Sequence, residues 1–186
     1  RFDGYWDPEG KAPAARLVIK GIADNAARIN ALRAGQLDFA NAQPDQANDL
    51  KSLESDPNFR VLWEHTQATV TVYLNVSRGP LADPRVRRAL NYAVDREALN
   101  EALIGGICPP TAQPFPIGQG SVPELDDVYT YDPEKTKALL AEAGAANLTL
   151  RGLFSNNALA RSIAPAIQGQ FQAAGVGFEM SPIPAT

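Results

Sequence analysis

The 186-residue sequence holds one cysteine, one histidine and one methionine, and each scarcity narrows what the chain can do. Cys108 alone forms no internal disulfide, so cysteine usage says nothing of the redox compartment. With His65 as the sole imidazole, a metal site built from nitrogen and sulfur ligands is not expected. No apolar run approaches the roughly 20 residues that span a bilayer. A basic excess is also missing: 17 Lys and Arg stand against 21 Asp and Glu, a net charge of −4, which leaves no electrostatic footprint for nucleic acid or an anionic membrane. There is no glycine-rich phosphate cradle and no internal repeat. Glu124, Asp126 and Asp127 lack calcium-loop spacing, and no nucleophile motif of the GxSxG kind accompanies His65. Catalytic residues, metal ligands and cofactors are therefore all expected to be none. The chain opens on Arg1-Phe-Asp-Gly-Tyr-Trp with neither an initiating Met nor a secretory leader, and reads as a piece of a longer protein.

What is present is an ordinary globular balance, 45% apolar and 20% charged, long enough for one domain or one lobe with a sizeable core. The organising stretch is residues 70–104. Val70, Val72, Leu74 and Val76 alternate with Thr69, Thr71, Tyr73, Asn75 and Ser77, the period of a strand with one buried and one wetter face. Asp83 then reads as an N-cap and Pro84 as the first residue of a helix whose apolar stripe is Val86, Leu90, Ala93 and Val94. A second start, Asp95-Arg-Glu-Ala, leads to Leu99, Leu103 and Ile104.

The same local signals place the other elements. Further strands are expected over 16–22, 37–40, 60–63, 147–154 and 176–183. Helices are expected from Asp24 to Gly35, from Gln43 to Leu53, from Asp132 to Gly144 and from about Ala158 to Ala174, each with a capping residue or a glycine stop. Residues 105–123 are too rich in Gly and Pro for regular structure. Tyr5 and Trp6 read as side chains packed onto the core, with ligand contact as the alternative.

The ordered string Tyr73-Leu-Asn, Pro80-Leu-Ala-Asp-Pro-Arg-Val-Arg-Arg-Ala-Leu-Asn-Tyr-Ala-Val-Asp-Arg-Glu-Ala-Leu and Gly105-Gly106 resembles the family 5 extracellular solute-binding proteins of peptide- and nickel-type ABC importers. The words ARINALRAGQLDFA and YDPEKTKALLAEAG extend the resemblance over nearly the whole chain. It implies an α/β fold: a single lobe of a periplasmic-binding-protein-like (class II) fold, with a mixed sheet flanked by helices. Residues 1–186 would be the second, inserted lobe of a two-lobe protein. The first lobe and a C-terminal remainder, which carries the GWxxDxxDP stretch of peptide binders, lie outside the sequence. The implied partners are a small peptide-like solute and an ABC permease in the membrane, with no nucleic acid. The implied state is a monomer in the periplasm or extracellular space, lipid-anchored in the full-length protein.

Seven residues are candidates for ligand contact. Thr71, Tyr73 and Asn75 lie on the wetter face of the organising strand, whose end borders the inter-lobe cleft in the family. An aromatic bearing a hydroxyl suits a half-wet ligand surface, although Asn75 can equally tie down the following turn. Gln113 and Phe115 sit in the Gly- and Pro-rich loop, which lies near the cleft in relatives or else clasps the outside of its own lobe. Ser155 and Asn156 stand where a strand tip meets a helix N-terminus, a place where α/β proteins present ligand groups. The alternatives are a sensor domain of a transcription regulator with the same fold and, further off, an enzyme using His65 or Cys108.

Overall fold

Five helices begin on Asp or Asn for one physical reason: the first turn of a helix has N–H groups without intrahelical acceptors, and a short side-chain oxygen supplies one. The computed structural model describes residues 6, 14, 16–43, 46–63 and 69–184. In chain order it contains α1 (Asn25–Arg33), α2 (Ala47–Glu54), α3 (Pro84–Tyr92), α4 (Arg96–Ile104), α5 (Pro133–Glu142), β1 (Thr149–Ser155), α6 (Ala158–Ala173) and β2 (Gly177–Ile183). Asp24, Asp83, Asp95, Asp132 and Asn157 accept from first-turn amides at 2.7 to 2.9 Å. Glycines in the left-handed region end α4 and follow α5 and α6, at Gly105, Gly144 and Gly175. The helix expectations are borne out within a few residues.

The chain forms two compact units, Arg1–Ala42 and Gln43–Thr186. In the first, α1 buries Ile29, and Arg28 fastens the preceding segment by donating to the Ile22 carbonyl at 2.8 Å and to Asn25 at 2.7 Å. Trp6 is exposed, not packed onto a core, and Tyr5 lies outside the described residues.

In the second unit the core joins Val86, Ala89, Leu90 and Ala93 of the α3 region to Leu140, Leu148, Ile167, Phe171, Ala174, Val176 and Phe178. β1 and β2 pair in parallel, from Thr149 opposite Gly177 to Ser155 opposite Ile183. Parallel neighbours need a long crossover, and α6 provides it. Leu150, Gly152 and Phe154 turn to the covered face of β1, while Arg151 and Leu153 are exposed. Gly152 is bare backbone beneath an aromatic ring: a Cβ there would stand 2.8 Å from the Phe178 ring.

Four expected strands are corrected. Segments 16–22, 37–40, 60–63 and 69–77 join no ladder, and the sheet among the described residues has two strands. Alternation reports a face that seeks cover, whereas a strand also needs a neighbour for its N–H and C=O groups. These segments find none, and Leu17, Ile19, Phe39, Leu62, Val70, Val72 and Val76 remain exposed. Of the supposed buried face of 69–77, Leu74 reaches the core. The α/β class stands.

Two polar contacts weld the helices, one fully buried and one half-buried. Thr136 is fully buried, and its hydroxyl lies 3.1 Å from both the Ala89 and the Asp132 carbonyls. The isosteric Thr136→Val exchange keeps the volume but strands the Ala89 side of the contact. It is expected to lower stability by about 1 kcal/mol in urea unfolding. Arg96 closes the α3–α4 corner: Nη1 donates to the carbonyls of Asn91, Val94 and Tyr129 at 3.2 to 3.4 Å, and Nη2 donates to Asn91 Oδ1 at 2.8 Å. Burial draws its guanidinium below the ordinary value. Carbonyls at a helix C-terminus carry the negative end of the dipole, which suits the cation. Arg96→Ala is expected to cost about 1.5 kcal/mol and to raise amide exchange around Tyr129, read by mass spectrometry.

Candidate functional site

The segment 69–75 and the loop after α4 meet. Thr69 Oγ1 donates to the Pro114 carbonyl at 2.9 Å, and Thr69 and Thr71 hydroxyls lie 3.1 Å apart. Proline has no N–H, so its carbonyl is the backbone group that this tip can offer. The contact places Thr71 on one side of the junction and Gln113 and Phe115 on the other. Tyr73, two residues beyond Thr71, is 92% exposed, and Phe115, next to Pro114 in the loop, is also exposed.

Gln113 has a different task from the one expected. Its amide nitrogen donates to the Val122 carbonyl at 2.9 Å and to Asp126 Oδ1 at 2.5 Å, while its oxygen accepts from Val122 N at 2.8 Å. Both donor hydrogens and the carbonyl are engaged inside the loop, so Gln113 shapes the surface and does not reach from it. Asn75 likewise accepts from the Ser77 amide at 3.1 Å and from its hydroxyl at 2.7 Å, the turn-fastening role left open by the sequence.

Ser155 and Asn156 occupy the C-terminal tip of β1, as expected. Capping of α6 falls to Asn157, which accepts from Ala160 N. The Asn156 amide donates to the Ile183 carbonyl at 3.0 Å, so the backbone at the tip is fixed while both side chains stay outside any hydrogen bond among the described residues. No hydrogen bond among the described residues joins this tip to the Thr71–Phe115 junction.

The enzyme alternative finds no geometry among the described residues. His65 lies outside them. Burial pushes the Cys108 thiol up, away from the reactive thiolate, and its backbone N–H donates to Asn100. Sequence reasoning missed Thr69, the Pro114 carbonyl and Asp126. Thr69 shares the alternation of Thr71 and Tyr73, a usable signal. Asp126 was visible only as one of several acidic letters.

An α/β unit with strand tips, loops and an exposed aromatic surface is the build of a ligand-binding lobe. The family model of the bacterial extracellular solute-binding proteins, family 5 middle, matches residues 1–186, and the chain belongs to that family. Heme-binding protein A of Haemophilus influenzae is 37% identical over 145 residues, 78% of this chain and 26% of that protein. The glutathione-binding protein GsiB of Escherichia coli is 29% identical over 187 residues, 100% of this chain and 36% of that protein. Among solved structures, an ABC transporter substrate-binding protein from Sinorhizobium meliloti matches with a TM-score of 0.66 and 26% identity, over 89% of this chain and 37% of that chain. The chain thus spans between 26% and 37% of the length of these relatives. The family seen in the sequence words is the family found.

Proposed function

We propose that residues 1–186 are the second, inserted lobe of a longer solute-binding protein. That protein captures a small peptide-like solute in a cleft between lobes and delivers it to an ABC import permease. The observation that carries this is the Tyr73 ring, almost wholly exposed in a segment that Thr69 ties to the Phe115 loop: large aromatic area left in water suits a wall that closes on a ligand. Thr71, Tyr73 and Phe115 form the ligand wall, with Asn75 and Gln113 holding it in shape. Ser155 and Asn156 offer further polar contacts. Support comes from family membership and from relatives named for binding heme and glutathione and for an ABC transporter. These names also span unlike solutes, so the peptide assignment rests on the resemblance in sequence. The working place is the periplasm or extracellular space, as a lipid-anchored monomer. The regulator alternative draws no support from these relatives.

A cleft that binds by closure draws its affinity from both walls, so one lobe alone binds weakly. The test is calorimetry on the full-length protein with glutathione and with trialanine as probes. Tyr73→Ala is expected to weaken the bound probe about tenfold, or about 1.4 kcal/mol, with the unfolding midpoint unchanged. Binding that ignores the substitution, or no small peptide bound at all, sinks the reading.

A further inference from the structure

The geometry points to Asp126 as the positioning residue of the ligand wall: its carboxylate ties Thr111 to Gln113 and so sets the Pro114 carbonyl against the Thr69 hydroxyl and fixes the Phe115 that follows it. The inference rests on the ligand-wall reading of Tyr73 and Phe115 given above.

Residues 105–123 lack helix or strand ladders over most of their length, and a segment of that composition does not order itself against the roughly 1–2 kcal/mol of backbone entropy per residue. Something must hold it. Asp126 Oδ1 accepts from Thr111 Oγ1 at 2.8 Å and from Gln113 Nε2 at 2.5 Å, while the Asp126 carbonyl accepts from Ala112 N at 3.2 Å. One residue therefore binds three consecutive positions, 111 to 113. Gln113 passes the restraint on to Val122 through both ends of its amide. For Thr111 and Gln113 the donor is neutral and the acceptor is a carboxylate, the stronger kind of hydrogen bond.

Beyond Gln113 the chain runs Pro114-Phe115-Pro116. Each proline fixes its own φ, and Pro116 keeps Phe115 out of the helical region. Few torsions remain between the Gln113 anchor and the Phe115 ring, so fixing residue 113 aims the ring. The same anchoring presents the Pro114 carbonyl to Thr69 at 2.9 Å. Asp126 touches neither Phe115 nor Tyr73 by any hydrogen bond or ring contact, and it acts through Gln113. It lies away from the core of α3, α5 and α6, so its loss should loosen the wall and leave the lobe folded.

Three variants of the full-length protein test this: Asp126→Ala, Asp126→Asn and Gln113→Glu. The readouts are amide exchange by mass spectrometry, trialanine affinity and the unfolding midpoint. Asp126→Ala removes the carboxylate that Thr111 and Gln113 donate to and keeps the main-chain carbonyl that Ala112 donates to. It is expected to speed exchange at Val122, whose acceptor is the freed Gln113 amide, about tenfold and to weaken trialanine by a similar factor, with an unchanged midpoint. Asp126→Asn keeps an acceptor oxygen and is expected to restore most of both. Gln113→Glu sets two carboxylates against each other and should behave like Asp126→Ala. Unchanged exchange in Asp126→Ala, or an asparagine as damaging as the alanine, overturns the proposal. Faster exchange with undiminished trialanine binding overturns it too, because the loop would be held without mattering to the ligand. If the unaltered protein binds no trialanine while Asp126→Ala still frees the loop and Asp126→Asn still holds it, the positioning by Asp126 is upheld and the ligand-wall reading fails.

Discussion

Replacing Phe171 with alanine is expected to lower the unfolding free energy by about 3–5 kcal/mol, measured from the urea midpoint. The ring is 3% exposed in the middle of the core cluster. It lies on α6, the crossover helix, and packs against Phe178 of β2 with centroids 5.1 Å apart and planes tilted by 34°. Removing it opens a cavity between the helix and the sheet that it covers. Neighbours on β2 are tied into the parallel ladder and follow the collapse poorly. A large part of the stability of an ordinary domain would go with this one side chain. A loss below about 1 kcal/mol would mean that the α6–sheet interface is not the centre of the lobe.

The second large effect is at Gly152, where the absence of a side chain is the structural feature. Its φ is ordinary, so the reason for glycine is space. A Cβ would meet Phe178 Cε2 at 2.8 Å and Cζ at 2.9 Å, and that ring is buried and packed against Phe171 at 5.1 Å between centroids, which limits its room to shift. Gly152→Ala is therefore expected to destabilise by about 2–3 kcal/mol through overpacking. The two substitutions should couple. With Phe171 cut to alanine, the Phe178 ring gains room, and the second change costs less than it does alone. A double-mutant cycle checks this by urea unfolding of the four proteins. Strict additivity would show that the clash is relieved elsewhere.

Legibility differed by element. Helix starts were clear in the sequence because a cap acts over three residues: Asp83 with Pro84, Asp95, Asp132 and Asn157 each carry the whole signal locally. Strands β1 and β2 were also read, helped by the helix between them. The other alternating segments were misread, since Val70, Val72 and Val76 have the right period and no partner strand among the described residues. Of the candidate site residues, Tyr73 is exposed, though in an unpaired segment and not on the strand face that was expected. Gln113 was chosen for its place in that loop, and its amide turned out to be engaged within it. Nothing in the neighbouring letters says that an amide at 113 answers a carboxylate at 126.

The sequence by itself determined where helices begin and end, that the chain is α/β, and that its words belong to the family 5 solute-binding proteins. Those properties are local or ordered along the chain, and caps, stripes and glycine stops need no distant partner. Only the tertiary structure decided which alternating segments become strands, why position 152 has no room for a side chain, and which polar groups meet within and against the loop after α4. Thr69 and Pro114 are 45 positions apart, and Gln113 and Asp126 are 13 apart. Contacts over such spans depend on how the chain closes its loops and packs its core, and neither leaves a mark on the residues beside them.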